Sequence, residues 1–199
     1  MLRRVDLPDP ETPIEETIMT LVEFVKRGQV LYLGLCGYSA ENLKTAAMIC
    51  RNERVPLIAF QGSHSLLFSQ YDEITSATLE TYGIGGLAYC PLFQGVLTGK
   101  YLHEIPKGSR MQRSEGHLSK IHREESLNQK IKSLKKLAES RGQTLTEMSL
   151  AWTLIHPRIC STIIGTRNMS QLNQNLKALH NLEFSNSDLQ DIKRILSTS

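Results

Sequence analysis

Short apolar runs alternate with longer helix-forming segments along this chain of 199 residues, and the alternation restricts the fold more than any other feature. The apolar runs cover residues 30–35, 57–60, 86–89 and 161–164. Near-continuous apolar strands are typical of a parallel sheet, because both of its faces are buried. Four repeated βα units therefore predict an α/β fold with helices covering a parallel sheet, either doubly wound or closed as a barrel.

Capping residues mark where several of the predicted helices begin. Thr12 is placed to cap a first helix over residues 14–27, and Ser39 is placed to cap a second over residues 40–51. The opening residues 1–6 run directly into the first helix and supply one further strand. The remaining helices are predicted over residues 73–82, 124–143, 146–155 and 186–196.

Residues 161–175 (STIIGTRNMSQLNQN) combine a strand, a glycine turn and the start of a helix. Gly165 allows the backbone to turn and to approach a ligand closely, and Asn168 or Ser170 caps the helix. Unpaired N–H groups and the helix dipole favour an anion at such a position, and the forked guanidinium of Arg167 suits a phosphate. The alternative is an ordinary βα loop with a solvent-facing arginine, and spacing alone favours that alternative.

Composition limits the classes of partner. The formal net charge is +3 and the basic residues are scattered, which argues against nucleic acid and favours a small anionic ligand. Neither an apolar run of membrane-spanning length nor a secretory signal is present, so we expect a cytoplasmic protein without membrane contact. The four cysteines lack C-x-x-C spacing, so no metal site and no disulfide framework are expected.

The choice between the two parallel-sheet folds depends on glycines and loops. A Gly-x-Gly-x-x-Gly motif follows none of the predicted strands, which disfavours a Rossmann fold. In a (β/α)8 barrel, phosphate commonly binds at the loops after the last two strands. Here those loops are the basic stretch over residues 93–123 and the turn with Gly165 and Arg167. Four units are half of a barrel, and a complete one needs about 250 residues.

Five segments resemble, in order, the C-terminal portion of aldo-keto reductases. They are RVDLPDPETPIEETI, GLCGYS, YCPLFQGVLTGKY, IPKGSRM and IIGTRNMSQLNQN. Within that family they resemble the bacterial glyceraldehyde-reducing branch, which is similar to the β-subunits of voltage-gated potassium channels. The resemblance implies that residues 1–199 form a single partial domain, the C-terminal half of a (β/α)8 TIM barrel. It also implies NADP(H) as cofactor and carbonyl reduction as the reaction.

The resemblance assigns fifteen residues to the cofactor. Arg167 and Gln171 would hold the 2′-phosphate, Lys100 and Arg110 would close over the pyrophosphate, and Tyr89 would stack on the nicotinamide. Gln61 would bond the carboxamide, Gln174 and Asn175 would reach the adenine, and Pro91, Leu92 and Gln94 would line the channel. The full set is Cys36, Gly37, Gln61, Tyr89, Cys90, Pro91, Leu92, Gln94, Lys100, Arg110, Gly165, Arg167, Gln171, Gln174 and Asn175.

Departures from the family pattern bear on catalysis. The family uses an Asp, Tyr, Lys and His tetrad, of which three members lie in the first half of the barrel, and Arg3 stands in the place of the histidine. Cys36 and Gly37 replace the serine and the serine or asparagine that hold the carboxamide, which predicts a looser nicotinamide. We therefore expect no catalytic residue in this chain and little activity by the chain alone.

These departures leave three functions open. The chain is the cofactor-binding part of a reductase, a non-catalytic NADP-binding or interaction module, or a degenerate fragment. A small carbonyl substrate is expected only where a barrel is complete, and exposed edge strands predict pairing with a complementary N-terminal half or with a second copy. His64, which stands where the family commonly has tyrosine, is predicted to pack and hydrogen-bond instead of acting as an acid.

Overall fold

The computed structural model describes residues 2–5, 8–102, 105 and 124–197 of the chain. The strands in this part are β1 (Leu2–Val5), β2 (Tyr32–Cys36), β3 (Leu57–Ser65), β4 (Phe68–Ser69), β5 (Gly85–Tyr89) and β6 (Ile159–Thr162). The helices are α1 (Ile14–Lys26), α2 (Ala40–Asn52), α3 (Glu73–Tyr82), α4 (Glu125–Ser140), α5 (Leu145–Leu154), α6 (Met169–Leu176) and α7 (Asn186–Ser197). Short 3-10 helices cover Phe93–Thr98 and Lys177–His180.

The chain divides into two compact units. The first, which we call the sheet unit, comprises the described parts of Met1–His64, Phe68–Tyr89 and His156–Ile163. The second, the helical unit, comprises the described parts of Ser65–Leu67, Cys90–Ile155 and Ile164–Ser199.

A parallel sheet organises the sheet unit. Its strands lie in the order β1-β2-β3-β5-β6, every described neighbour along this path is parallel, and β4 pairs with β3 beside it. Leu35, Phe60 and Ala88 are fully buried against Ile18 of α1 and Leu43 of α2, so the helices cover one face of the sheet. The predicted α/β fold with a parallel sheet is therefore confirmed.

The local signals for the helices are visible in their caps. The side chain of Ser39 accepts a hydrogen bond from Asn42 N at 3.2 Å, as predicted, and Asp72 caps α3 in the same way. The prediction that Thr12 caps α1 is wrong. Pro13 occupies the N-cap position without a side-chain hydrogen bond, and the Thr12 hydroxyl donates instead to the Asp9 carboxylate.

Several strand boundaries also differ from the predictions, most clearly those of β3 and β6. β3 continues to Ser65, well beyond residue 60, and it is followed by β4, which was not predicted. β6 begins at Ile159 and ends at Thr162, whereas the apolar run predicts residues 161–164. The reason lies in pairing, because Ile159 is the Cα partner of Gly86 in β5 and this register places β6 earlier in the chain.

The helical unit has a hydrophobic core of its own. Leu97, Leu134 and Met148 are fully buried in it, together with residues of α4, α5 and α7. A reciprocal capping box begins α5, because Thr144 and Glu147 each accept from the other's backbone N–H. No helix within the described ranges is both long and apolar enough to cross a membrane.

Arg141, which follows α4, connects α4 to α7 within the helical unit through polar contacts. Its guanidinium forms an ion pair with Asp188 of α7 and donates to the carbonyl of Glu183 at 2.7 Å. The guanidinium carbon also lies 3.7 Å from the centre of the Phe184 ring. Because the Arg141 side chain is only 6% exposed, these contacts fasten the start of α7 to the end of α4.

Candidate functional site

The sheet unit brings three predicted cofactor residues to one face. Cys36 is the Cα partner of Gln61, and Gln61 is the partner of Leu87, two residues before Tyr89. Paired residues, and residues two apart in a strand, share a face of a sheet. Cys36, Gln61 and Tyr89 therefore lie on the face opposite Phe60, which packs against the helices.

The backbone next to this face is also joined. Gly37 N donates to the carbonyl of Gln61 at 3.0 Å, which holds the end of β2 beside the middle of β3. Gly37 has φ +73°, a conformation that residues with a side chain rarely adopt, so its lack of a side chain suits the turn. The structure thus groups Cys36, Gly37 and Gln61.

In the helical unit, the predicted channel residues lie in a turn with unusual backbone angles. Cys90, Phe93 and Gln94 have φ values of 54°, 44° and 55°, and Gly95 follows at 95°. We call residues 90–95 the left-handed turn. Non-glycine residues in this region cost about 1–3 kcal/mol each, and such strain collects at functional sites. The turn is stabilised by bonds from Phe93 N to Cys90 O and from Gly95 N to Leu92 O, both 2.9 Å.

Lys100 lies against this turn. A Cβ built on Gly95 would stand 3.2 Å from the Lys100 Nζ, so the glycine leaves the space that the lysine side chain uses. The ammonium also lies 4.8 Å from the centre of the Tyr101 ring. The structure therefore places one predicted phosphate ligand, Lys100, against Gly95. This glycine directly follows the predicted channel residue Gln94 in the turn.

The second predicted phosphate segment begins α6. Asn168, not Ser170, is the cap, and its side chain accepts from Gln171 N at 2.9 Å. The Gln171 side chain accepts in turn from Arg167 N at 2.9 Å, so the residues of the turn hold one another in place. The side chains of Arg167, Gln171 and Gln174 are exposed, Asn175 is half-buried, and Gly165 has open space around its α-carbon.

The predicted set is divided between the two units. Cys36, Gly37, Gln61 and Tyr89 belong to the sheet unit, and Cys90, Pro91, Leu92, Gln94, Lys100, Gly165, Arg167, Gln171, Gln174 and Asn175 belong to the helical unit. Arg110 lies outside the described residues. The role of each residue in holding a cofactor stays a prediction.

His64 has the packing role that its sequence context favours. It is 2% exposed, its Nδ1 lies 2.7 Å from the Ser69 hydroxyl, and its ring packs edge-on against Tyr71 and His156. Burial, together with the nearby His156, lowers the pKa of His64 to about 4. The imidazole is therefore neutral near pH 7 and is a poor candidate for a general acid.

Tyr71 is an organising residue that the sequence analysis missed. Its hydroxyl accepts from Gly62 N at 3.2 Å and donates to the carbonyl of Leu87 at 2.9 Å, which links β3 to β5. A Cβ on Gly62 or Gly86 would stand 2.9 or 2.7 Å from the Tyr71 ring. Gly62 pairs with Ala88 and Gly86 pairs with Phe60, so the two glycines lie on the same face of adjacent strands. Glycines placed in this way are the signal that a large side chain lies over them.

Tyr101 was also missed, although the GKY sequence was noted. Its side chain is buried in the core of the helical unit beside Leu97 and Leu134. Within the described ranges, no group of three or more His, Cys, Asp or Glu side chains is arranged to hold a metal ion.

Comparison with known proteins identifies a family. A family model described as the aldo/keto reductase family matches residues 3–197. The chain is 39% identical over 189 residues to L-glyceraldehyde 3-phosphate reductase of Escherichia coli (strain K12), covering 92% of this chain and 54% of that protein. It is 32% identical over 178 residues to the "Putative voltage-gated potassium channel subunit beta" of Schizosaccharomyces pombe, covering 86% and 52%. The chain thus spans about half the length of the curated relatives it matches.

Proposed function

Because the chain belongs to the aldo/keto reductase family, we propose that it is the NADP(H)-binding part of a carbonyl reductase. The observation that carries this proposal is the left-handed turn with Lys100 folded against Gly95. A strained backbone kept beside an exposed cation is typical of a ligand clamp. In fold terms, the proposal is that β1, β2, β3, β5 and β6 are the last strands of a (β/α)8 barrel.

The sheet unit would hold the nicotinamide end of the cofactor. Gln61 offers an amide that can both donate to and accept from the carboxamide, and Tyr89 offers an aromatic face to a flat ring. Their position on one face of the sheet, together with Cys36, supports this assignment. When bound, NADP(H) would supply the hydride, while these residues orient the ring.

The helical unit would hold the phosphates. Lys100 gives a point charge suited to the pyrophosphate, and Arg167 gives a planar fork suited to the 2′-phosphate. Arg167 precedes the cap of α6, where the orphan N–H groups of a helix add to the attraction for an anion. Gln171 fixes this turn through its bond to Arg167 N.

The same residues bring no proton donor for the carbonyl. His64 is buried and neutral, and Arg3, on β1, stands where the family has histidine. Reduction of a carbonyl needs an acid beside the oxygen as hydride arrives. We therefore propose that the chain alone binds NADPH and reduces aldehydes little or not at all.

A complementary front half of a barrel is the partner that we propose. β1 and β6 are the outer strands of the described sheet, so each leaves one side of its backbone without a described neighbour. Leu31, Tyr32, Ile58 and Ile163 are large apolar side chains of the sheet unit that are more than 40% exposed. A small aldehyde, of the kind that the reductase relative's name indicates, would be the substrate of the completed barrel.

Titration of the chain with NADPH tests the cofactor assignment. We expect saturable binding, seen as a change in NADPH fluorescence, and binding at least tenfold weaker in Arg167→Ala, because a phosphate loses its charged fork. Arg27→Ala is the matched control, since it removes another exposed arginine, which directly follows α1 and pairs with Glu23. Equal affinity for NADPH in wild type and Arg167→Ala would refute the assignment.

A second experiment distinguishes the proposed function, the cofactor-binding part of a reductase, from a non-catalytic NADP-binding module. The similarity to the potassium-channel relative is the reason to consider this alternative. The front half of a related barrel, carrying the tetrad, is added to the purified chain, and NADPH-dependent reduction of DL-glyceraldehyde is followed. Turnover that needs both polypeptides supports the reductase. Tight NADPH binding without turnover under these conditions supports the module.

A further inference from the structure

Tyr101 carries a buried hydroxyl that nothing in the described part of the chain satisfies. The residue is 4% exposed, and its hydroxyl oxygen has no hydrogen-bond partner there. A buried polar group without a partner lowers stability, so native proteins keep few of them and those few call for an explanation. A phenylalanine would fill the same space without this cost.

The position of the ring indicates what the hydroxyl is for. One edge of the Tyr101 ring faces Gly95, since a Cβ on that glycine would stand 3.6 Å from Tyr101 Cε2. The Lys100 ammonium lies over the same ring, 4.8 Å from its centre. The exposed Lys100 therefore lies on the face of a buried phenol ring at the left-handed turn, and the hydroxyl is attached next to the ring edge that meets Gly95.

We propose that the Tyr101 hydroxyl is a second donor to the phosphate group that Lys100 binds. This inference rests on the proposed function and deepens it. Without an anion, the ammonium lies on the aromatic face, which attracts cations. When a diphosphate arrives, the ammonium turns from the ring toward the phosphate oxygens. The movement uncovers the phenol, whose O–H then donates to a charged acceptor and becomes satisfied.

The pairing gives the site a selectivity that a lone lysine lacks. An ammonium attracts any anion, whereas an ammonium and a phenol O–H held on one short segment favour an anion with several acceptor oxygens. A diphosphate presents such oxygens along its length. Because the two residues are adjacent in sequence and share the space above Gly95, their contributions to binding are coupled.

Tyr101→Phe is the decisive variant, because it removes only the hydroxyl. The full chain is titrated with NADPH by fluorescence and with inorganic pyrophosphate by calorimetry, and its stability without ligand is measured in urea. We expect roughly tenfold weaker binding of both ligands and no loss of stability. Tyr71→Phe is the matched control: its hydroxyl is hydrogen-bonded, so we expect lower stability with unchanged affinity.

A double-mutant cycle with Lys100→Met sharpens the result. We expect the double variant to bind pyrophosphate only slightly more weakly than Lys100→Met alone, because the phenol acts on an anion that the ammonium has already drawn in. Additive losses would overturn the coupled arrangement.

The outcomes distinguish this inference from the proposed function. Unchanged affinity of Tyr101→Phe for pyrophosphate would overturn the inference, and so would a loss of its stability without ligand. Failure of the wild-type chain to bind NADPH would refute the proposed function. If pyrophosphate still bound to the wild type and more weakly to Tyr101→Phe, the phosphate site would stand with a different ligand.

Discussion

Each of the two compact units contains a buried tyrosine, and the two differ in the hydrogen bonding of the hydroxyl group. In the sheet unit, the Tyr71 hydroxyl bonds the backbones of β3 and β5, and two glycines make room for its ring. In the helical unit, the equally buried Tyr101 has a hydroxyl with no described partner, beside a turn of left-handed residues. The difference indicates that the first tyrosine serves the fold. It also underlies our proposal that the second region, with its strained turn and its unsatisfied hydroxyl, binds a ligand.

The largest expected change in stability results from substitution of Gly86 in the sheet unit. A Cβ there would stand 2.4 Å from the carbonyl oxygen of Arg158 and 2.7 Å from the Tyr71 ring. We expect Gly86→Ala to lower the free energy of unfolding by about 3 kcal/mol or more, because backbone and a packed ring must both move. Gly165→Ala, whose Cβ meets nothing within 4 Å, is the control, with an expected change within about 0.5 kcal/mol in urea denaturation.

Acid should weaken the same unit through His64. Its pKa in the folded chain is about 4, below the value of about 6.5 for an unfolded chain, so the unfolded state binds more protons between these values. Stability contributed by the neutral ring is therefore present above pH 6.5 and lost as the pH falls toward 4, by about 3 kcal/mol in all. Burial also lowers the pKa of the adjacent His156, which acts in the same direction.

Urea denaturation at several pH values measures this slope. His64→Gln keeps a group that can bond Ser69 but cannot titrate, so we expect a shallower fall in the free energy of unfolding below pH 6.5. An unchanged slope in His64→Gln would contradict the assignment of the acid sensitivity to this ring.

Removal of Arg141 should weaken the helical unit without touching the left-handed turn. Arg141→Ala leaves Asp188 without its ion pair and the Glu183 carbonyl without a donor, and we expect a loss of about 2 kcal/mol. Arg141→Lys keeps the charge but loses the fork, so an intermediate loss is expected. The thermal midpoint measures both variants. Stability of Arg141→Ala equal to that of Arg141→Lys would argue against a bidentate role.

The smallest expected change in the free energy of unfolding is at the strained turn, where the direction of the change matters more than its size. Gln94 has φ 55°, a conformation that glycine adopts without penalty. We expect Gln94→Gly to raise the free energy of unfolding by about 0.5–1 kcal/mol while weakening NADPH binding. Urea denaturation and fluorescence titration measure the two changes. A variant that is both less stable and equally tight in binding would show that the turn does not store strain for a ligand.

Helices were predicted from the sequence better than strand ends, for a physical reason. Ser39 caps α2 through a bond to a residue three positions along, so the signal is local. The start of β6 depends on the pairing of Ile159 with Gly86, and the extension of β3 depends on its partners β4 and β5. Pairing of distant segments is absent from a local apolar pattern.

Some features of the candidate site could likewise be expected from the sequence, and others could not. Cys36 and Gln61 each directly follow a predicted apolar run, and carboxyl ends of parallel strands meet at one edge, so their adjacency could be expected even though β3 itself continues past Gln61. The left-handed angles of Cys90 and Phe93 could not be predicted, because neither residue type is typical of that conformation. The unsatisfied hydroxyl of Tyr101 depends on the packing around it, which no sequence spacing reveals.

The division of the chain has a consequence for biosynthesis. The sheet unit takes its last strand, β6, from His156–Ile163, after a long excursion of the polypeptide through Cys90–Ile155. During translation, β5 therefore emerges from the ribosome before β6, and it cannot pair with β6 until most of the helical unit has been synthesised. The newly made edge of β5 is open to mispairing throughout that interval, because its backbone N–H and C=O groups have not yet met those of β6.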